Sequence, residues 1–566
     1  MSIRLLPSSL SWWRVNPSQL ADAVLAAAAA ALAGLGRDPS VLPATTSVER
    51  PRHPGHGDYA SALALQVAKQ AGLPPRELAQ GIADRLITNP AIDSAEVAGH
   101  GFVNIRLRAA AAASVAGAIV RQGGAYGRGT GLAGQRVNLE FVSANPTGPV
   151  HIGHVRWAAV GDALARILRA QAAEVTTEYY YNDAGAQIDR FADSLLAAAR
   201  HDAPPADGYV GEYIDEIARV VAAKHPDALG QPPAEARRVF RAEGVALMIE
   251  EIRTSLEDFG APFDVYFAEK DLHDRGDLAA ALARLRQTGH AYEAEGATWI
   301  RTTEYGDDKD RVYVRRNGQF TYFAADCAYY LNKRSRGFDK LLIILGADHH
   351  GYTGRLRAIA ACFGDDPDQT LEILIGQLVN LVRDGQPLRM SKRAGTIVTI
   401  DDMVSAIGVD AARYALARYS LDSPIDLDLD LWARRTSDNP VFYVQYAHAR
   451  IASLLRQAAN VGLTRGGQYD GRPLTHDREN DLLKALADFP GVVVSAAELR
   501  QPHRVARYLE ELSGTYHRFY DACRVLPRGD EPLDDLGRAR LWLAEAAKIV
   551  LENGLGLLGV TAPERL

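Results

Sequence analysis

The sequence is poor in the residues that staple or metallate small folds: 566 positions hold only three cysteines, Cys327, Cys362 and Cys523, each isolated from the others. That excludes a disulfide framework and a Cys-based zinc site, and a reducing cytoplasm is the simplest home. Long apolar runs are missing too. The longest, VLAAAAAALAGL from Val24 to Leu35, is too short and alanine-rich to span a bilayer. Asp22 precedes it and no convincing cleavage signal follows, so it reads as an ordinary helix, and no membrane partner is expected. A positive charge excess is also absent: 63 Lys and Arg stand against 70 Asp and Glu, a formal −7. This is not a generally basic nucleic-acid binder, and any RNA contact must be local. From Val441 to Leu566 the two signs balance at 16 each, which weakly favours the last quarter of the chain as the RNA-facing part.

What is present is concentrated in two short stretches, HIGH at His151–His154 and RMSKRAGT at Arg389–Thr396. The first follows a β-like run, VNLEFVS, crosses the turn NPTGP and opens an apolar-periodic helix. Backbone N–H groups and the positive end of a helix dipole favour an anion there, so strand, turn and helix start predict a phosphate site. His151 and His154, three apart, share a face of the first turn, and Gly153 leaves room for a flat group such as adenine. The second stretch offers Lys392 as a point charge and Arg389 and Arg393 as guanidinium groups on a Ser/Gly-containing loop. Cations of that kind can follow a leaving pyrophosphate.

The rest of the chain divides in three. Residues 1–122 read as a small α+β unit, with helical patterns at Pro17–Gly34, Asp58–Ala71 and Pro75–Ile87 around one strand, Glu96–Leu107, and a closing alanine-rich helix. Glycines at 123–134 mark a boundary. Over 123–435 β-like runs alternate with helical patterns, as in a Rossmann-type parallel sheet, interrupted by a polar helical insertion at about 203–260. Residues 436–566 read as an all-helical bundle with a cluster of aromatics, Tyr443, Tyr446, Tyr516, Phe519 and Tyr520. Adjacent His349 and His350 cannot share one face of a strand or helix, so no metal site is expected.

With EFVSANPTGPVHIGHVR, DDKDRVYVRRNGQFTYFAADCAYYLNK, LGADHHGY, RMSKRAGT, GVDAARY, NPVFYVQYAHARI and YHRFYDACRVL, the chain resembles the class I aminoacyl-tRNA synthetases, and within them the arginyl-tRNA synthetases, over nearly its whole length. The resemblance implies ligation of L-arginine to tRNA(Arg) through an arginyl-adenylate, with ATP and Mg²⁺ as a substrate complex and no tightly bound cofactor. It also implies that tRNA must be bound before arginine is activated. His151, His154 and Lys392 are then the expected catalytic residues. His151, Gly153, His154, Asp348, Met390, Ser391 and Lys392 would bind ATP. Glu140, Ser143, Asn145, Tyr322, Asp326 and His349 would bind arginine, the carboxylate of Asp326 lying one helical turn from the ring of Tyr322. Phe102, Asn104, Tyr446 and Tyr520 would touch tRNA, unpaired bases stacking on rings.

Only 238 positions separate His151 from Arg389, which leaves no space for a large editing domain. That suits a guanidinium, because a site built to hydrogen-bond five donors already rejects analogues lacking them. Two departures from the family pattern, Arg389 in place of lysine and Arg393 in place of serine, bear on the rate of activation. A monomer is expected. Another class I ligase, a related nucleotidylyltransferase and a catalytically silent tRNA-binding paralogue remain open at this point.

Overall fold

The computed structural model describes residues 17–49, 51, 56–107, 114–347, 351–388, 398–529 and 531–566. Of the residues singled out above, Asp348, His349, His350, Arg389, Met390, Ser391, Lys392 and Arg393 lie outside the described residues.

In the first unit, helices Pro17–Gly34, Leu63–Ala71 and Pro75–Leu86 accompany an antiparallel sheet of order β1–β3–β2: β1 (Tyr59–Ser61), β2 (Ile92–Ala98) and β3 (Phe102–Leu107). Two local readings of the sequence are corrected. Glu96–Leu107 is a hairpin rather than one strand, because Gly99 and Gly101 take φ of 55° and 145° and fold the chain back. A side chain at Gly101 would also meet Pro75, its Cβ only 2.9 Å from the proline Cβ. Tyr59–Ser61, read as the start of a helix, instead pairs with Val103–Ile105, and the helix begins at Leu63. Alternation along β3 buries Val103 and Ile105 and turns Phe102 and Asn104 to the other face.

The central sheet begins with β4 (Arg136–Glu140), β5 (Glu174–Tyr181) and β6 (Val265–Ala268). Helices Ala186–Ala199, Glu212–Lys224 and Pro233–Asp258 pack together between β5 and β6. A small antiparallel sheet, β7 (Ala291–Ala294), β8 (Ala297–Ile300) and β9 (Arg311–Val314), precedes the helix Tyr322–Ser335. The chain then returns as β10 (Lys340–Gly346) and β11 (Leu371–Gly376), giving the order β11–β10–β4–β5–β6 with every pair parallel. The order reverses between β4 and β10, and the crevice beyond the carboxyl ends of these two strands is where such sheets bind ligands. A further sheet, β12 (Val379–Arg383), β13 (Gln386–Pro387) and β14 (Ile425–Asp428), follows.

Helices Pro440–Asn460, Asp477–Glu498, His503–Ala522 and Asp535–Leu557 form the C-terminal bundle, and one apolar core joins it to β4 and the Ile152–Ala170 helix. The helix Val115–Gln122 belongs to this core and packs on Asp535–Leu557.

The Ile152–Ala170 helix is buried along most of its length and anchored by two fully buried arginines. Its own Arg156 donates to the carbonyls of Gln377 (2.6 Å), Ser423 (2.9 Å) and Ser420 (2.7 Å), and burial pulls its pKa down to about 10. Arg413, from the helix Val409–Ala417, pairs with Asp162 and donates to the carbonyls of Phe259 (3.1 Å) and Leu558 (3.2 Å and 3.1 Å). Arg413→Met is expected to cost about 3–5 kcal/mol of unfolding free energy, since it takes one of two guanidinium partners from a buried carboxylate and the donors from the Phe259 and Leu558 carbonyls. Urea denaturation of the variant checks this, and adding Asp162→Asn is expected to restore part of the loss.

Candidate active site

Between β4 and the Ile152–Ala170 helix the backbone passes through two left-handed residues, Val142 (φ 69°) and Ser143 (φ 39°). A β-branched residue there is strained, and the surrounding contacts hold the strain in place. The consequence is two redirected groups. The Val142 carbonyl lies 3.2 Å from His154 Nδ1. The Ser143 hydroxyl donates to Glu140 Oε1 (3.0 Å) and accepts from the Tyr180 N–H (3.1 Å). Asn145, next along, accepts from the Asn182 N–H (3.1 Å) and donates to Gln187 (2.8 Å), so the turn is tied to the loop after β5.

His151 caps the helix rather than lying within it: its Nδ1 accepts from the Gly153 N–H at 3.2 Å. The His154 ring stands edge-on to it, with centroids 4.4 Å apart. An accepting Nδ1 on His151 puts its proton on Nε2, whereas His154 must donate from Nδ1 to the Val142 carbonyl. These assignments follow from the partners. A Cβ at Gly153 would come within 2.9 Å of His151 Cε1, so the missing side chain also makes room for the capping imidazole.

The residues flanking the second signature, Leu388 and Val398, are described, although Arg389–Ile397 are not. Upstream, the Leu388 N–H donates to Leu381 of β12 (2.8 Å). Downstream, the Ile152 N–H donates to the Val398 carbonyl (3.0 Å) and the Ile400 N–H to the Val150 carbonyl (2.9 Å), with His151 and Thr399 bridged antiparallel. The segment that follows the second motif, Val398–Ile400, is therefore hydrogen-bonded to the start of the first.

The Tyr322–Ser335 helix runs beside this crevice. Tyr322 is 66% exposed, and its hydroxyl lies against Gly185 in the loop after β5. One turn further, Asp326 accepts a hydrogen bond from the Tyr352 hydroxyl. Burial is the main influence on Asp326, and with the nearby charges of Glu269 and Glu140 it raises the carboxyl to about 6 despite help from Tyr352 and Arg355. Glu140 and Glu178 are cross-strand partners on β4 and β5, both buried, a pairing that would repel if left alone. Lys333 takes Glu140, and Arg336 takes Glu178 with two bonds of 2.6 and 2.9 Å. With those cations beside it and a hydrogen bond from Tyr329, Glu178 is lowered below the usual carboxylate range although burial alone would raise it. Glu140 is thus bonded to Ser143 and close enough to Asp326 for their charges to interact, and the carbonyl just before Ser143 lies on His154. Tyr352, Lys333, Glu178 and Arg336 were not singled out from the sequence, although Tyr322, Asp326, Tyr329 and Lys333 repeat at helical spacing.

The other candidate residues lie elsewhere. Phe102, 44% exposed, and Asn104 line a cleft of about 420 Å³ in the first unit, with His56, Gln66 and Glu49 among its other walls. On the bundle, Tyr446 is 43% exposed and stacks on Phe442, and Arg450 lies over the Tyr520 ring at 4.0 Å. Tyr516 and Phe519 of the same aromatic cluster are fully buried and cannot meet a partner.

Three family models match the chain: an arginyl tRNA synthetase N terminal domain at residues 18–107, a class I (R) tRNA synthetase catalytic domain at 241–418 and a DALR anticodon binding domain at 444–566. The arginine–tRNA ligase of Kineococcus radiotolerans is 56% identical over 554 residues, 98% of this chain and all of that protein. Among solved structures, a putative arginyl-tRNA synthetase from Campylobacter jejuni superimposes with a TM-score of 0.74 at 31% identity, covering 81% of this chain and all of its own. The Thermus thermophilus arginyl-tRNA synthetase also gives 0.74, at 25% identity over 97% of this chain and all of its own.

A carboxyl raised from 3.8 to about 6 makes the folded state less favourable at neutral pH, by about 3 kcal/mol, and that cost fades as pH falls from 6 to below 3.8. A cation docking on Asp326 offsets it. In a ¹³C NMR titration of the ligand-free protein the Asp326 carboxyl is expected to show a midpoint near 6, and Tyr352→Phe, which removes a donor to the carboxylate, to move it higher.

Proposed function

The chain belongs to the arginyl-tRNA synthetase family and is an arginine–tRNA ligase; from that premise we propose how its residues divide the work. Arginine enters the crevice with its guanidinium against Asp326 and the Tyr322 ring, its amino group at Glu140 and its carboxylate toward Asn145, with Ser143 fixing Glu140. The observation that carries this reading is Asp326, a carboxylate whose charge burial disfavours and which a bound guanidinium would satisfy with paired hydrogen bonds. ATP, arriving with Mg²⁺ as its substrate complex, lies across the start of the Ile152–Ala170 helix, where the positive end of the helix dipole favours phosphate. Gly153, Asp348, Met390 and Ser391 complete its contacts, and His349 those of arginine.

The arginine carboxylate attacks the α-phosphate in line and pyrophosphate leaves. His151, His154 and Lys392 stabilise the charge that develops on the transferring and leaving groups, so catalysis is orientation and electrostatics with no covalent enzyme intermediate. The 2′-hydroxyl of the terminal adenosine of tRNA(Arg) then takes the arginyl group and AMP leaves. Phe102 and Asn104 would read the outer corner of the tRNA, and Tyr446 and Tyr520 the anticodon, by stacking on exposed ring faces. Domain limits of 1–122, 123–435 and 436–566, with the Val115–Gln122 helix at the end of the first packed on the bundle of the third, a cytoplasmic home and a monomeric state complete the proposal.

ATP–pyrophosphate exchange with each of the twenty amino acids, with and without tRNA, tests it: exchange is expected with arginine alone and only when tRNA is present. Exchange with a different amino acid would overturn the pocket assignment. Because Asp326 must be ionised to hold a guanidinium, kcat/KM for arginine should be flat above pH 7 and fall about tenfold by pH 5. Asp326→Asn should remove that limb of the profile and raise the KM for arginine by about 100-fold.

A further inference from the structure

The Tyr322–Ser335 helix carries Tyr322, Asp326, Tyr329 and Lys333 at spacings of four, three and four, so all four share a face. Lys333 is 1% exposed, lies 4.4 Å from the Tyr329 ring centroid and pairs with Glu140, 193 positions earlier in the chain. Arg336 is committed to Glu178 by two bonds, and Tyr329 donates to the same carboxylate at 2.6 Å. Lys333 therefore hydrogen-bonds Glu140, while its charge also acts on Glu178, whose bonds come from Arg336 and Tyr329. Its ammonium joins the carboxylate at the end of β4 to the helix that bears Asp326. Asp326 and Lys333 are seven residues apart, about 10 Å along the axis of one rigid element.

We infer that Lys333 is a positioning residue that holds Glu140 at a set distance from Asp326, making this helix the measure of substrate length. The inference rests on the reading of Glu140 and Asp326 as partners of the two ends of arginine. A lysine suits the task better than an arginine would: it is a compact point charge that fixes one carboxylate oxygen and leaves the other to Ser143. A guanidino amino acid one methylene longer or shorter than arginine can then satisfy one carboxylate or the other, but not both.

The test uses the full-length enzyme with tRNA, ATP–pyrophosphate exchange, and three substrates: arginine and its homologues one methylene longer and one shorter. Lys333→Met is expected to raise the KM for arginine about tenfold with a much smaller change in kcat, and to shrink the preference for arginine over both homologues by about tenfold. Added to Glu140→Gln, Lys333→Met should change KM by less than about twofold, because the lysine acts through that carboxylate. Should Lys333→Met fail to fold, judged by circular dichroism and tRNA affinity, Lys333→Arg keeps a cation in place but displaces the carboxylate, and the length preference should still shrink. A raised KM in Glu140→Gln together with unchanged KM and length preference in the soluble Lys333 variant overturns the inference alone. An unchanged KM in Glu140→Gln overturns the assignment of Glu140, and the inference with it.

Discussion

One buried carboxylate holds the molecule together. Asp162, midway along the helix that begins with the two histidines, receives Arg413 from one side and Arg166 from the other, at 2.6 Å for the second. Burying a guanidinium is costly unless its donors are all directed, and Arg413 meets that condition by reaching carbonyls at the end of the inserted helices and at the end of the bundle. The insertion, the Val409–Ala417 helix and the C-terminal bundle are thereby registered to the same central helix. Arg156 does the same one turn from the histidines for the loops around Gln377 and Ser423. The placement of the helix start at His151 thus depends on hydrogen bonds drawn from segments hundreds of residues apart.

The charge pattern of the crevice follows a second logic. Glu140, Glu178, Glu269 and Asp326 face Lys333, Arg336 and Arg355 in one electrostatically linked set, four acids to three bases. Within it Glu178 is held ionised by its cations, whereas Glu269 and Asp326 are raised, Asp326 to about 6. A cation beside Asp326 would favour its ionised form; a neutral isostere of the same shape would leave it with only Tyr352 and the nearby charge of Arg355.

Much of this was legible in the sequence, and the reason is locality. Strand, turn and helix start around HIGH, the i, i+4 relation of Tyr322 and Asp326, and the alternation of β runs with helices are all patterns within a few turns of chain, and the fold class follows from them. The misreadings were local competitions too: Tyr59–Ser61 looks helical until β3 offers it backbone partners, and a run from Glu96 to Leu107 looks like one strand until Gly99 and Gly101 bend it. What no local pattern reveals is which buried ions meet. Glu140 and Lys333, or Asp162 and Arg413, become partners only through the topology of the sheet. The bundle aromatics lie between these extremes. Val505, Leu509, Leu512, Tyr516 and Phe519 recur at a core spacing that already marks the last two as interior, whereas Tyr446 falls on the outer face of its own helix.

The pairing of Val398–Ile400 with Val150–Ile152 has a further consequence for the lysine between the stems. Lys392 is four residues from Leu388 and six from Val398, so no conformation of the intervening chain can carry it more than about 14 Å from the first or about 20 Å from the second. A tether of that length bounds the volume open to the Lys392 backbone about its two anchors, and so sets an effective concentration there. Lengthening the segment would dilute the lysine without altering a single contact in the crevice. On this view the number of residues between Leu388 and Val398 is itself a kinetic parameter of the enzyme.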